Sequence, residues 1–168
     1  MVCRRKFFST LHDSAISFVE RDKDRMKRAK WEDAETLAGL AIRMWTDHDP
    51  KDLAEEFRRL VTSDEAVCFI RYADGKPVAF AQCQLRHDYV EGTETSPVGY
   101  LEGIFVSETY RKQGIAAELL SACEKWAKEK GCTEFASDCE LENVDSFRFH
   151  MALGFEEANR IICFRKDI

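Results

Sequence analysis

The stretch from Tyr100 to Gly131 constrains the fold more than any other. Tyr100-Leu101-Glu102-Gly103-Ile104-Phe105-Val106 has strand chemistry, and Gly103 in its interior indicates a bulge. After the polar Ser107-Glu108-Thr109-Tyr110, residues Ala116, Leu119, Leu120, Cys123, Trp126 and Ala127 form one apolar helical stripe, which Gly131 ends. A strand feeding such a helix must bury the stripe on a sheet, which implies a layered α/β domain. Arg111-Lys112-Gln113-Gly114-Ile115-Ala116 opens the helix. Unpaired backbone N–H groups and the positive end of the helix dipole meet there, so the turn suits a phosphate. Gly114 allows close approach, Ala116 keeps bulk away, and Arg111 and Lys112 add positive charge.

The 168 residues fit one domain built around that unit. Residues 1–25 read as an N-terminal extension, because Glu20 to Arg25 is a charge run without an apolar face; a short helix over Phe7 to Val19 and disorder both fit. The domain, residues 26–168, opens with a short strand at Met26 to Ala29 and a helix carrying Leu37, Leu40, Ala41, Met44 and Trp45. Asp49-Pro50 caps a second helix with Leu53, Phe57, Leu60 and Val61 on one face. A hairpin follows, Ala66 to Ile70 and Val78 to Leu85 around Asp74-Gly75, then a polar loop from His87 to Pro97. Beyond Gly131 come a strand at Glu134 to Asp138, a helix from Asn143 to Leu153 stopped by Gly154, and a last strand from Arg160 to Lys166. The expected order is β-α-α-β-β-β-α-β-α-β.

Charge narrows the partners. Twenty-five Lys and Arg against 31 Asp and Glu leave a formal charge of −6, which disfavours nucleic acid and favours a cationic small molecule. No apolar run suits a membrane span or a secretory leader. The seven cysteines form no CxxC pair and lie mostly in apolar runs, so they are expected as small core hydrophobes, with no metal, in a cytoplasmic setting.

Arg111-x-x-Gly114-x-Ala116 behind a bulged strand resembles the pyrophosphate loop of the GNAT superfamily of N-acetyltransferases, and Asn143 with Leu153-Gly154-Phe155 is similar to its second coenzyme A motif. Residues 26–168 further resemble the aminoglycoside 6′-N-acetyltransferases. The matching pieces are Met44-Trp45, His48-Asp49-Pro50, Phe80-Ala81, Leu85 to Gly92, Ser96-Pro97-Val98, Leu101 to Val106, Ala136-Ser137-Asp138 and Ala152 to Glu157. The resemblance implies an α/β GNAT fold, a mixed central β-sheet splayed at a β-bulge with flanking helices. It also implies acetyl-CoA as cosubstrate, transfer to the 6′-amino group of aminoglycosides with antibiotic resistance as the result, and a homodimer.

By the same resemblance, the backbone of Ile104, Phe105 and Val106 runs along the pantetheine arm, with the Val106 N–H on the thioester carbonyl. Arg111, Lys112, Gln113, Gly114, Ile115, Ala116, Ala117 and Asn143 hold the rest of coenzyme A. Trp45, His48, Tyr89, Glu102 and Asp138 contact the antibiotic, and Glu91 has the right chemistry to join them. Physically, a polycation calls for carboxylates and flat rings. Trp45 fits core burial as well as sugar stacking, Glu102 fits a base relaying a proton through water as well as a charge anchor, and Asp138 fits a solvated strand end as well as a ligand contact. Many superfamily members place a tyrosine seven residues after the motif asparagine as acid for the thiolate; here it is His150, which suits either that acid or a packed helix residue. Asn159 stands where the resistance enzymes can have an acidic residue. An acetyltransferase for a polyamine or another cationic metabolite, and a non-catalytic acyl-CoA-binding module, are the rival readings.

Overall fold

The computed structural model describes residues 25–168, so the expected N-terminal extension lies, but for Arg25, outside the described residues. Strand β1 (Met26–Arg28) leads through a 3₁₀ turn (Trp31–Asp33) into α1 (Ala34–Ala41) and α2 (Pro50–Thr62). Asp49 caps α2 as its position before Pro50 predicts, its carboxylate accepting from the Lys51 N–H at 2.7 Å. Strands β2 (Ala66–Ala73) and β3 (Lys76–Arg86) form the hairpin, with Asp74 and Gly75 both at positive φ in the turn. Then follow β4 (Val98–Val106), α3 (Ile115–Glu129), β5 (Phe135–Ser137) and α4 (Val144–Ala152).

The sheet order is β1-β2-β3-β4-β5, antiparallel up to β4 and parallel between β4 and β5. Strand β3 shows why both faces are covered. Ala79, Ala81 and Cys83 alternate beneath α3 with its Leu119, Leu120, Cys123 and Trp126, while Phe80 points the other way to Leu37, Phe57 and Phe105 beneath α1 and α2. Each of the large apolar side chains buried here contributes about 1.5–3 kcal/mol. Small residues on the α3 side let the helix lie close. Gly99 of β4 is tighter still, since a Cβ there would stand 2.6 Å from both the Ala127 Cβ and the Phe135 Cδ2.

Two boundaries depart from the expectation. Helix α1 ends at Ala41, and the chain turns there, with the Met44 and Trp45 amides both bonded to the Ala41 carbonyl. The strand expected over Arg160 to Lys166 is absent: the segment pairs with none of the five strands, and Ile161, Ile162 and Phe164 are exposed. Apolar alternation supplies one half of a ladder, and an unpaired segment has nothing to bond.

Four of the cysteines, Cys68, Cys83, Cys123 and Cys132, are buried among apolar neighbours as expected, while Cys139 and Cys163 are exposed. Burial pushes the Cys68 thiol up to about 12. The packing at Gly99 gives a direct test: Gly99→Ala is expected to destabilise the domain by about 1–3 kcal/mol through overpacking, and an unchanged thermal midpoint would refute the close contact.

Candidate active site

The site begins at an extra residue in β4. Gln82 pairs with Gly103 and Cys83 with Leu101, which leaves Glu102 without a partner on β3. Past Leu101, which pairs with Ser137, β4 has no further partner on its β5 side. The Ser107 N–H bonds the Val78 carbonyl at 2.8 Å, so antiparallel alternation turns the backbone of Val106 and Ile104 away from β3, toward that open side. The side chains of Ile104 and Val106 pack under α3 and Phe105 packs under α1, so those side chains belong to the core.

The helix start completes one end. Gly114 caps α3 at φ +83°, no side chain bonds the first turn, and no atom lies within 4 Å of where a Cβ would be. Its free N–H groups therefore face open space, from Ile115 at the first position through the half-buried Ala116 to the exposed Ala117. Arg111 and Gln113 shape the loop from within, donating to the carbonyls of Val106 and Thr109 at 3.1 Å each. Lys112 holds the turn at φ +60°. Asn143 caps α4, accepting from the Ser146 N–H at 3.0 Å.

The acidic residues are not bare. Arg86 forks onto Glu102, Nη2 lying 2.9 Å from both carboxylate oxygens and Nε 3.1 Å from one. The same guanidinium lies 3.6 Å above the Tyr100 ring. Burial pushes the Tyr100 hydroxyl well above the ordinary range, and the charge of Asp138 and a hydrogen bond to it push the same way. Arg86, Tyr100, Glu102 and Asp138 thus form one cluster beside the bulge. Trp45 is half-buried against it: a Cβ on Gly103 would stand 2.9 Å from the Met44 Cε and the Trp45 Cζ2. Its ring also packs on Phe57 and Phe80, and the exposed His48 ring is 6.3 Å away.

His150 binds across the splay. Its Nδ1 lies 2.7 Å from the Ser146 carbonyl and its Nε2 3.0 Å from the Ser137 Oγ, which in turn bonds the Leu101 carbonyl at 3.0 Å. A carbonyl only accepts, so Nδ1 carries a hydrogen and donates it to Ser146.

The loop between β3 and β4 carries Tyr89, which is 79 % exposed. Its hydroxyl is shifted upward by the charge of Glu91 and a hydrogen bond to it, and Glu91 also accepts from Asn159 at 2.9 Å. Glu134 pins the far end, its carboxylate accepting from the Glu94 and Thr95 amides at 2.9 and 2.7 Å and from the Thr95 hydroxyl. Tyr89 and Glu91 therefore sit on a tethered loop, while Trp45, Glu102 and Asp138 converge at the bulge. A surface cleft of about 500 Å³ between α1 and α2, lined by Glu35, Pro50, Lys51 and Arg58, shares none of these residues.

Nothing in the sequence singles out Arg86, Tyr100, Ser137 and Glu134 as individual actors. Arg86 pairs with Val98, two residues before Tyr100, so the stack follows from a register that an eleven-residue connection (residues 87–97) leaves open. Among the described residues, no cluster of three or more His, Cys, Asp or Glu could hold a metal.

Residues 24–155 match the acetyltransferase (GNAT) family. An aminoglycoside N(6′)-acetyltransferase type 1 of Serratia marcescens is 46 % identical over 134 residues, which span 78 % of this chain and 92 % of that protein. A protein of the same name from Acinetobacter baumannii is 45 % identical over 132 residues, 77 % of this chain and 90 % of its own length. Among solved structures, the aminoglycoside N-acetyltransferase AAC(6′)-Iy in complex with a bisubstrate analogue, CoA-S-monomethyl-acetylneamine, superposes with a TM-score of 0.82 at 38 % identity, covering 86 % of this chain and 99 % of that one.

The Glu134 anchor predicts acid sensitivity. The Thr95 hydroxyl and the two amides hold its carboxyl below the usual range. A depressed carboxylate stabilises the fold above its unfolded pKa and loses that contribution as pH falls through the folded value. Protection of the Glu94 and Thr95 amides, measured against the intrinsic exchange rate at each pH, is expected to fall on acidification, and Glu134→Gln to show that lost protection already at neutral pH. Retained protection in Glu134→Gln would remove the anchor.

Proposed function

Since the chain belongs to the acetyltransferase (GNAT) family and, within it, to the aminoglycoside N(6′)-acetyltransferases, we propose that it transfers the acetyl group of acetyl-CoA to the 6′-amino group of an aminoglycoside and so confers resistance. The observation that carries this reading is the position of Glu102, in the bulge and four residues before Val106, whose amide turns to the open side of β4. An acceptor amine held at that carboxylate meets a thioester whose carbonyl accepts from the Val106 N–H.

In this reading the open backbone of Ile104 to Val106 pairs with the pantetheine arm, and the free N–H groups from Gly114 to Ala117 take the pyrophosphate, with Arg111, Lys112 and Gln113 shaping and charging that turn. Asn143, at the start of α4, flanks the coenzyme from the other side. Trp45, His48 and Tyr89 offer flat surfaces to the sugars, while Glu102 and Asp138 hold their ammonium groups. The free-base nitrogen attacks the thioester carbon and the C–S bond breaks. The proton the nitrogen loses passes toward Glu102 or water, and the leaving thiolate takes one from His150 Nε2. The chain works in the cytoplasm as a homodimer, in which a second copy covers the exposed Ile161, Ile162 and Phe164.

The decisive assay measures thiol release from acetyl-CoA with kanamycin-type and gentamicin-type aminoglycosides, spermidine and a lysine peptide, with the acetylated position located by mass spectrometry. Release with aminoglycosides and a 6′-acetyl product is expected; faster turnover of spermidine would refute the assignment. Gly114→Val, forced off φ +83°, is expected to raise the acetyl-CoA KM at least tenfold with the fold intact. Glu102→Gln is expected to raise the aminoglycoside KM more than it lowers kcat, and wild-type values of both would remove Glu102 from the site.

A further inference from the structure

Arg86 is a cation at the centre of a surface that, on the reading above, receives a polycation. It spans both oxygens of Glu102 and stacks on Tyr100, whose hydroxyl meets Asp138. With Arg86 in place, the cluster of two carboxylates and one guanidinium has a net charge of −1 rather than −2.

The nucleophile explains why that balance is useful. An alkyl ammonium resembles lysine, with a pKa of about 10.4, so near neutrality fewer than roughly one amine in a thousand is the free base that can attack. A lone carboxylate stabilises the ammonium further and binds the substrate better in its unreactive form. A fixed positive charge on the same carboxylate opposes this.

We propose that Arg86 sets the reactive state of the acceptor: by balancing Glu102 it lets the site hold a polycation without locking the attacking nitrogen as an ammonium. The inference rests on the acetyl-transfer reading. The other titratable groups around this position are Cys83 on β3, Tyr100 on β4, Asp138 after β5, His150 on α4 behind Ser137, and His48 beyond Trp45. Of all these, Arg86 alone carries a permanent positive charge. Its side chain is 42 % exposed and that of Glu102 20 %, so the pair faces the solvent from which an acceptor arrives.

The test is single-turnover acetylation of a kanamycin-type aminoglycoside by protein saturated with acetyl-CoA, followed from about pH 6 to about pH 10, around the amine's own range. In Arg86→Met the aminoglycoside KM is expected to fall several-fold. The rate at neutral pH should fall about tenfold, as the acidic limb of the profile moves up by about one pH unit. Arg86→Lys, which keeps the charge but loses the fork, should return the limb to its wild-type position. Arg86→Gln repeats the test should methionine destabilise the sheet. A raised KM with an unmoved limb would show that Arg86 only props Glu102, and a lysine variant behaving like methionine would show that charge is not its role; either overturns the proposal. Wild-type protein inactive on every aminoglycoside would instead overturn the functional reading beneath it.

Discussion

One unmatched residue in β4 organises the site. Placing Glu102 opposite no residue of β3 shifts the alternation of the strand, so that Leu101 and Ile104, three apart, both pack under α3, while Gly103 and Phe105 face α1. A regular strand would put Leu101 and Ile104 on opposite faces. The extra residue presents a carboxylate at the surface of the sheet, where Arg86 of β3 meets it. It also coincides with the point where pairing to β5 stops, which leaves the next backbone groups of β4 facing away from the ladder.

The elements around the bulge serve it by packing rather than by chemistry. Gly103 lacks a side chain because Met44 and Trp45 occupy that space, so the turn after α1 rests directly on the strand. Ser137 and His150 tie α4, β5 and the Leu101 carbonyl together just before the strands part. Glu134 fixes the loop that carries Tyr89. Each contact is short-range, and together they hold four chain segments around a gap that the sheet itself does not fill.

The sequence made local matters legible. The Asp49-Pro50 cap, the Asp74-Gly75 turn and the αL start at Gly114 all appear where their residue chemistry places them. The bulge was legible through Gly103, though the unpaired residue is its neighbour Glu102. What was not legible depends on pairing across distance. The segment from Arg160 to Lys166 carries strand residues but pairs with no strand, and local pattern contains no information about pairing. The fork from Arg86 to Glu102 likewise joins residues sixteen apart through the register of β3 and β4, so an acidic site read residue by residue looked more negative than it is.

The buried cysteines have a chemical consequence. On the acetyl-transfer reading, the protein holds a thioester and liberates a thiol, which exposes its own sulfur atoms to acyl exchange and mixed-disulfide formation, both of which require a thiolate. Cys83 sits directly opposite Leu101 at the bulge, against Cys123 of α3, and that contact and burial both drive its proton affinity upward. Burial likewise pushes the thiol of Cys68, under the opposite face, upward. The sheet thus places sulfur where its size and polarizability fill space between strand and helix, yet withholds the ionised form that would turn the core into a competing acceptor.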